Sequence, residues 1–185
     1  YRNDGDGFFL DLSFPSMASV LGEPYVGWGT VFFDRDNDGD QDLYVANGHV
    51  YPQTDLPRIG IGYAEPNFLL DNSGTGRFTD VTGTSGPGLD VVKVSRGVTV
   101  ADSDDDGDLD LFVVNLTDTP SLLRNDGGTP LNWLKVKVVA TRSNRDGLGA
   151  RVTVESGRRT ETLALSDTSR CLSHSPRRPR LGPRP

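Results

Sequence analysis

Residues 27–47 read GWGTVFFDRDNDGDQDLYVAN. Asp34, Asp36, Asp38, Asp40 and Asp42 occupy every second position of the central loop, with Gly39 between the third and the fourth. Five carboxylates in one tight loop repel one another unless a positive charge lies among them. Arg35 is the only base in the loop, one charge against five. Hard oxygen donors at alternate positions, with a glycine where the chain turns sharply, are the chemistry of a calcium loop. The flanks, 30–33 and 43–46, are short, β-branched and aromatic, without a helical period, and read as strands. The stretch is expected to be a strand, a calcium-binding loop and a second strand.

An EF-hand loop would carry a bidentate glutamate at its twelfth position. Counted from Asp34 that position is Val45, so Asp42 at the ninth is expected to close the site. The unit returns at residues 95–115, SRGVTVADSDDDGDLDLFVVN, displaced by 68 residues. Asp102, Asp104, Asp106, Gly107, Asp108 and Asp110 match Asp34, Asp36, Asp38, Gly39, Asp40 and Asp42, and Val113 stands at the twelfth position. A single acidic loop is equally well a solvated turn; two copies with matching glycines and matching strands favour calcium. In such a loop the first, third, fifth and ninth side chains turn inward and the seventh residue offers its carbonyl. The expected ligands are the side chains of Asp34, Asp36, Asp38 and Asp42 with the Asp40 carbonyl. In the second loop they are Asp102, Asp104, Asp106 and Asp110 with the Asp108 carbonyl. The side chains of Asp40, Asp105 and Asp108 are expected to point outward, and two Ca2+ ions are implied.

A second element also repeats. YRNDGDGFFLDLS at 1–13 returns as LDNSGTGRFTDVT at 70–82, and LRNDGG at 123–128 is a partial third copy. Asn3, Gly5, Gly7, Phe9 and Asp11 match Asn72, Gly74, Gly76, Phe78 and Asp80. The N-D-G and N-S-G steps are hairpin-turn chemistry, because Asn and Gly tolerate positive φ. Loop and turn offsets of 68 and 69 residues agree, and repeats of this length with several short strands each suggest propeller blades. Residues 48–65, with Pro52, Pro57 and Gly60, are expected to be a surface insertion between blades, with His49 a surface residue.

The chain of 185 residues carries a net charge of −7. Residues 166–185 hold five Arg and one Asp, leaving −11 on the rest. An acidic body repels nucleic acid and suits cations. Cys171 is the single cysteine, which excludes an internal disulfide. No apolar run is long enough to cross a bilayer. Without a starting Met or signal peptide, and with about two blades, the chain reads as a fragment or processed product whose remaining blades lie elsewhere.

Residues 27–49 and 95–115 resemble the blades of FG-GAP/VCBS repeats, the calcium-bearing propeller blades also found in integrin α-chains. NWLKVKVVATRSNRDGLGARVTV at 132–154 resembles an ASPIC/UnbV domain, on Trp133-Leu134-Lys135-Val136, Ser143-Asn144-Arg145-Asp146-Gly147 and Gly149-Ala150-Arg151-Val152. The pairing is similar to the cartilage acidic protein family and its bacterial relatives. The expected fold is all-β: a partial β-propeller of calcium-loop blades over 1–130, followed by a small β-module over 131–165 that is incomplete at its C-terminal end. The tail, 166–185, departs from the resemblance. Its Arg/Pro composition shows no period and is expected to be disordered.

No catalytic constellation assembles from the sequence. The two histidines are His49 and His174, and no G-x-S-x-G elbow or P-loop is present. The paired carboxylates a glycosidase needs are taken by metal-ligand spacing. The expected function is a noncatalytic calcium-binding extracellular module, secreted or on a cell surface or in a bacterial periplasm, for adhesion or for a protein or glycan partner. The alternatives are an accessory part of a larger secreted or biosynthetic enzyme, and a calcium-dependent lectin-like propeller.

Overall fold

The computed structural model describes residues 1–56, 62–127, 134–142, 144–156, 159–165, 169–170, 173–174 and 180–181. The chain opens with a hairpin, β1 (Arg2–Gly5) and β2 (Phe8–Leu10), and a short helix, α1 (Ala18–Gly22). Then come β3 (Gly27–Phe33), β4 (Asp42–Asn47), β5 (Phe68–Asn72) and β6 (Phe78–Asp80), an antiparallel sheet in sequence order. A second sheet holds β7 (Ser95–Ala101), β8 (Asp110–Asn115) and β9 (Ser121–Leu123), again antiparallel neighbours. Next are β10 (Leu134–Lys135) and a hairpin of β11 (Arg151–Ser156) with β12 (Arg159–Ala164). The two-residue strands β13 (Ser169–Arg170), β14 (Ser173–His174) and β15 (Arg180–Leu181) follow. The fold is mostly β, with antiparallel sheets and almost no helix.

The two acidic loops join matching strand pairs in matching register. Val31 pairs Tyr44 and Phe33 pairs Asp42; Thr99 pairs Phe112 and Ala101 pairs Asp110. Both pairs carry an irregularity at the same place, before Gly29 and before Gly97. Those glycines are where the sheets meet. A Cβ on Gly29 would lie 2.8 Å from the Arg96 carbonyl oxygen and 2.9 Å from the Gly97 Cα, so β3 and β7 touch backbone to backbone. At the end of the strands away from the acidic loops, the Arg96 guanidinium lies 4.6 Å over the Trp28 ring. It also donates to the carbonyls of Gly48 (3.0 Å) and His49 (2.9 Å). Residues 48–65 are therefore more than a surface insertion: Gly48, Thr54 and Glu65 are buried, and Glu65 accepts the Val26 N–H at 2.9 Å. Residues 57–61 of that stretch lie outside the described residues.

The period-two alternation sorts the side chains into faces. Val31, Phe33, Tyr44 and Ala46 of the first sheet pack with Val98, Val100, Leu111 and Val113 of the second in one core. Each fully buried large side chain of this kind contributes roughly 1.5–3 kcal/mol. The opposite face of the first sheet, Leu43, Phe68 and Leu70, is covered by Ala18 and Leu21 of α1 and by Tyr25. The opposite face of the second sheet has no such cover among the described residues: Phe112, Val114 and Leu122 are exposed. The helix was not legible in the sequence. It exists because Ala18 and Leu21 reach an apolar face that would otherwise be wet.

In the C-terminal module the period-two alternation over residues 133–138 gives regular strand at Leu134 and Lys135 among the described residues, and the alternation over 150–155 gives β11. The polar loop between β10 and β11 is closed on itself: Asn144 Nδ2 donates to the Leu148 carbonyl at 3.0 Å, and the Leu148 N–H returns to Asn144 Oδ1 at 2.6 Å, a self-satisfied turn of the kind Asx residues commonly close. Ser143 of that loop lies outside the described residues. In the tail, β13 pairs β14, β14 runs parallel to β7, and β15 pairs β10. The rest of 166–185, Cys171 included, lies outside the described residues.

Candidate metal centre

Each acidic loop turns through two left-handed residues at equivalent positions. Asn37 (φ 58) and Gly39 (φ 88) do so in the first; Asp105 (φ 61) and Gly107 (φ 108) do so in the second. Asn and Asp are the side chains that best tolerate this region outside glycine. The carboxylate at the fifth position closes a local turn in both: Asp38 Oδ1 accepts the Asp40 N–H at 2.7 Å, and Asp106 Oδ1 the Asp108 N–H at 2.8 Å. In the first loop the Gly39 N–H also reaches Asp34 Oδ2, at 2.9 Å.

The carboxylate at the ninth position is a latch. Asp42 accepts the Arg35 N–H at 2.9 Å on one oxygen and the Asn72 N–H at 2.8 Å on the other. Asp110 repeats this with the N–H groups of Ser103 and Asn125, each at 2.8 Å. Both latches are fully buried. They tie the start of the loop to the Asn turn that follows the third strand.

Among the described residues, Asp34, Asp36 and Asp42 each offer a carboxylate oxygen within 4.8 Å of the others, and Asp102, Asp104 and Asp106 do the same. Two oxygens on one calcium ion, each 2.3–2.6 Å from it, stand at most about 5 Å apart, so both triads fit one ion. Asp34 Oδ1 is buried with no hydrogen-bond partner, the condition a cation relieves. Asp38 and Asp40 are not part of the first triad, nor Asp108 and Asp110 of the second. The Asp105 side chain is exposed, as expected for an outward residue, but Asp108 is buried. Its Oδ1 accepts Asn37 Nδ2 at 2.7 Å where the two loops pack against each other, so the side chain faces the neighbouring loop and stands outside the triad.

The electrostatics of the first loop follow from its depth. Burial pushes the Asp34 carboxyl up to about 7, with the charges of Asp38, Asp36 and Asp42 adding and the Gly39 N–H opposing. Burial raises Asp42 to about 6 against the N–H groups of Asn72 and Arg35. Asp36 is raised too, by burial and then by Asp38. Arg35 offsets part of this charge, pairing with Asp71 at 2.6 Å and Asp36 at 3.3 Å. In the exposed second loop Asp104 is raised, by desolvation first and then by Asp106.

A scan against protein-family models and a search of curated proteins returned no match for this chain.

Three residues of the site escaped the sequence reading. Asn72 and Asn125 were visible as turn residues, repeated at equivalent places, but their latch aspartates lie 30 and 15 residues away. Asn37 gave no signal, since its counterpart in the second loop is Asp105.

Proposed function

We propose that the chain is a noncatalytic, calcium-binding module of an extracellular protein, built from FG-GAP/VCBS-type propeller blades and serving adhesion or the binding of a protein or glycan partner. The observation that carries the calcium reading is the converging carboxylate triad in each of two equivalent loops, with the first and third positions shared between them. Three carboxylates supply three of the six to eight oxygens calcium takes, with carbonyls and water available for the rest. The role of the residues is to hold charge and order the loop. Asp34 and Asp36 with Asp42, and Asp102 with Asp104 and Asp106, would contact the ion.

The blade reading draws support from how the sheets stack. The Tyr44/Ala46 face of the first sheet meets the Leu111/Val113 face of the second, which are opposite faces of equivalent strands. Stacking in that sense can repeat, and the exposed Phe112/Val114 face is where a further blade would lie. A thermal melt in EDTA against millimolar calcium tests the function. Extracellular calcium modules have dissociation constants of ~10⁻⁴ to 10⁻³ M. Free calcium at tenfold that value adds about 1.4 kcal/mol per site. Magnesium should add less, because it demands a tighter octahedron. Identical midpoints in EDTA and calcium would remove the reading.

A further inference from the structure

We propose that the two acidic loops bind cations as one coupled unit, with Asn37 and Asn125 as positioning residues through which occupancy of either loop favours occupancy of the other. This rests on the calcium reading above and goes beyond it, since two sites on separate repeats would otherwise fill independently.

The coupling is carried by two crossed struts. Asn37 lies in the first loop between Asp36 and Asp38, and its Nδ2 donates to Asp108 Oδ1 at 2.7 Å and to the Gly107 carbonyl at 3.4 Å. Gly107 and Asp108 directly follow Asp106, a member of the second triad. Asn125 runs the other way. Its backbone N–H is held by the second loop's latch, Asp110, while its Nδ2 donates to the Arg35 carbonyl at 2.7 Å, between Asp34 and Asp36. Asn37 is 3% exposed and Asp108 8%, so their bond is sheltered from competing water. Asn37, flanked by Asp36 and Asp38, thus holds the second loop at 107–108, and Asn125, held by Asp110, holds the first loop at Arg35, flanked by Asp34 and Asp36.

A cation that orders the first loop fixes Asn37, and with it the backbone of the second loop at 107–108. The ordering cost of the second cation is then partly met before it binds, which is positive cooperativity without a large change of shape. Linkage requires the effect to be reciprocal, and the Asn125 strut gives it a path in the other direction. Direct repulsion between the two ions acts against the coupling and is screened over about 8 Å at physiological salt.

Calcium itself is the probe, in calorimetric titrations of the full chain near physiological ionic strength. The expected wild-type result is two ions bound with positive cooperativity, the second held at least about fivefold more tightly than independent sites would allow, the lower end of ordinary coupling. Asn37→Gly keeps the left-handed backbone and removes only the amide. It should still bind two ions, now independently. Asp108→Ala should do the same, whereas Asp108→Asn retains an acceptor oxygen for Asn37 and should restore the cooperativity. That rescue is what a purely structural role would not produce, and the Asp108 pair decides the matter should Asn37→Gly fail to fold. Two independent sites in the wild type, or undiminished cooperativity in Asp108→Ala, would overturn the coupling and leave calcium binding standing. Absence of calcium binding would overturn both.

Discussion

The first and second acidic loops share a motif, a backbone path and a latch, yet they present different electrostatic problems. In the first, Asp34 and Asp36 are half-buried, Asp42 is fully buried, and Arg35 lies within the loop. In the second, Asp104 and Asp106 are exposed, Ser103 replaces Arg35, and Asp105 adds a sixth carboxylate. The difference comes from the surroundings. The first sheet has its outer face covered by α1 and its loop wedged against the second repeat, whereas the second sheet leaves Phe112 and Val114 bare. The motif therefore brings the first and third carboxylates together in both loops, while the third member of the triad differs, Asp42 in one and Asp106 in the other, and the packing of neighbouring elements sets what the convergence costs.

What the loops share should show the largest effect. Asp42→Ala and Asp110→Ala each strand two N–H groups at a buried latch. An unsatisfied buried donor costs about 1–3 kcal/mol, so each variant should lose roughly 2–5 kcal/mol in EDTA, equally at the two sites. Urea denaturation measures this. A loss at one site and none at the other would show that the latches are not equivalent.

The pH response should separate the loops. In the folded, metal-free protein Asp34 is raised to about 7 and Asp42 to about 6, so the folded state holds protons that the unfolded chain has released. Their contribution is fully present below about pH 4, the ordinary carboxyl value, and is lost as pH rises through 6 and 7. The melting midpoint in EDTA should accordingly fall between pH 5 and pH 7.5, and Asp34→Asn should flatten that fall. Calcium should reverse it, since the ion displaces the protons. A midpoint in EDTA that rises over this range would contradict the account of the first loop.

Salt should act the other way. Exposed charges are screened within about 8–10 Å at ordinary ionic strength, so calcium affinity at the second loop should weaken more with added salt than at the first. Titrating Asp34→Ala and Asp104→Ala, each retaining one site, at low and physiological salt gives the two slopes. The smallest effect is at Arg35. Arg35→Ser makes the first loop resemble the second and removes a partly exposed ion pair with Asp71, a change worth under about 1 kcal/mol in stability. Calcium affinity at the first loop should rise slightly at low salt, and a fall would mean that Arg35 orders the loop more than it neutralises it.

The strands, loops and turn repeats were legible because their signals are local. Alternation placed β3, β4, β7 and β8, and the turns at Gly39 and Gly107 follow the motif. Which aspartates face one another was only half legible. Spacing marked the ninth position as a ligand, but the latch at Asp42 and Asp110 depends on the N–H groups of Asn72, at the end of β5, and Asn125, just past β9, brought there by sheet pairing. Burial of Asp108 was not legible, because it depends on one repeat packing on the next through Gly29 and Gly97. The α1 helix was hidden for a similar reason: five residues carry too little period to read, and their stability comes from the Leu43/Phe68/Leu70 face.

The central claim, two geometric cation sites rather than a diffuse acidic surface, is tested most directly by calcium stoichiometry at physiological ionic strength. Calorimetric titration should give two ions per chain for the wild type and one for each of Asp34→Ala and Asp104→Ala. The control Asp90→Ala, which removes an exposed carboxylate outside both loops, should still give two. Weak, non-stoichiometric uptake that falls equally in all three variants would contradict the claim.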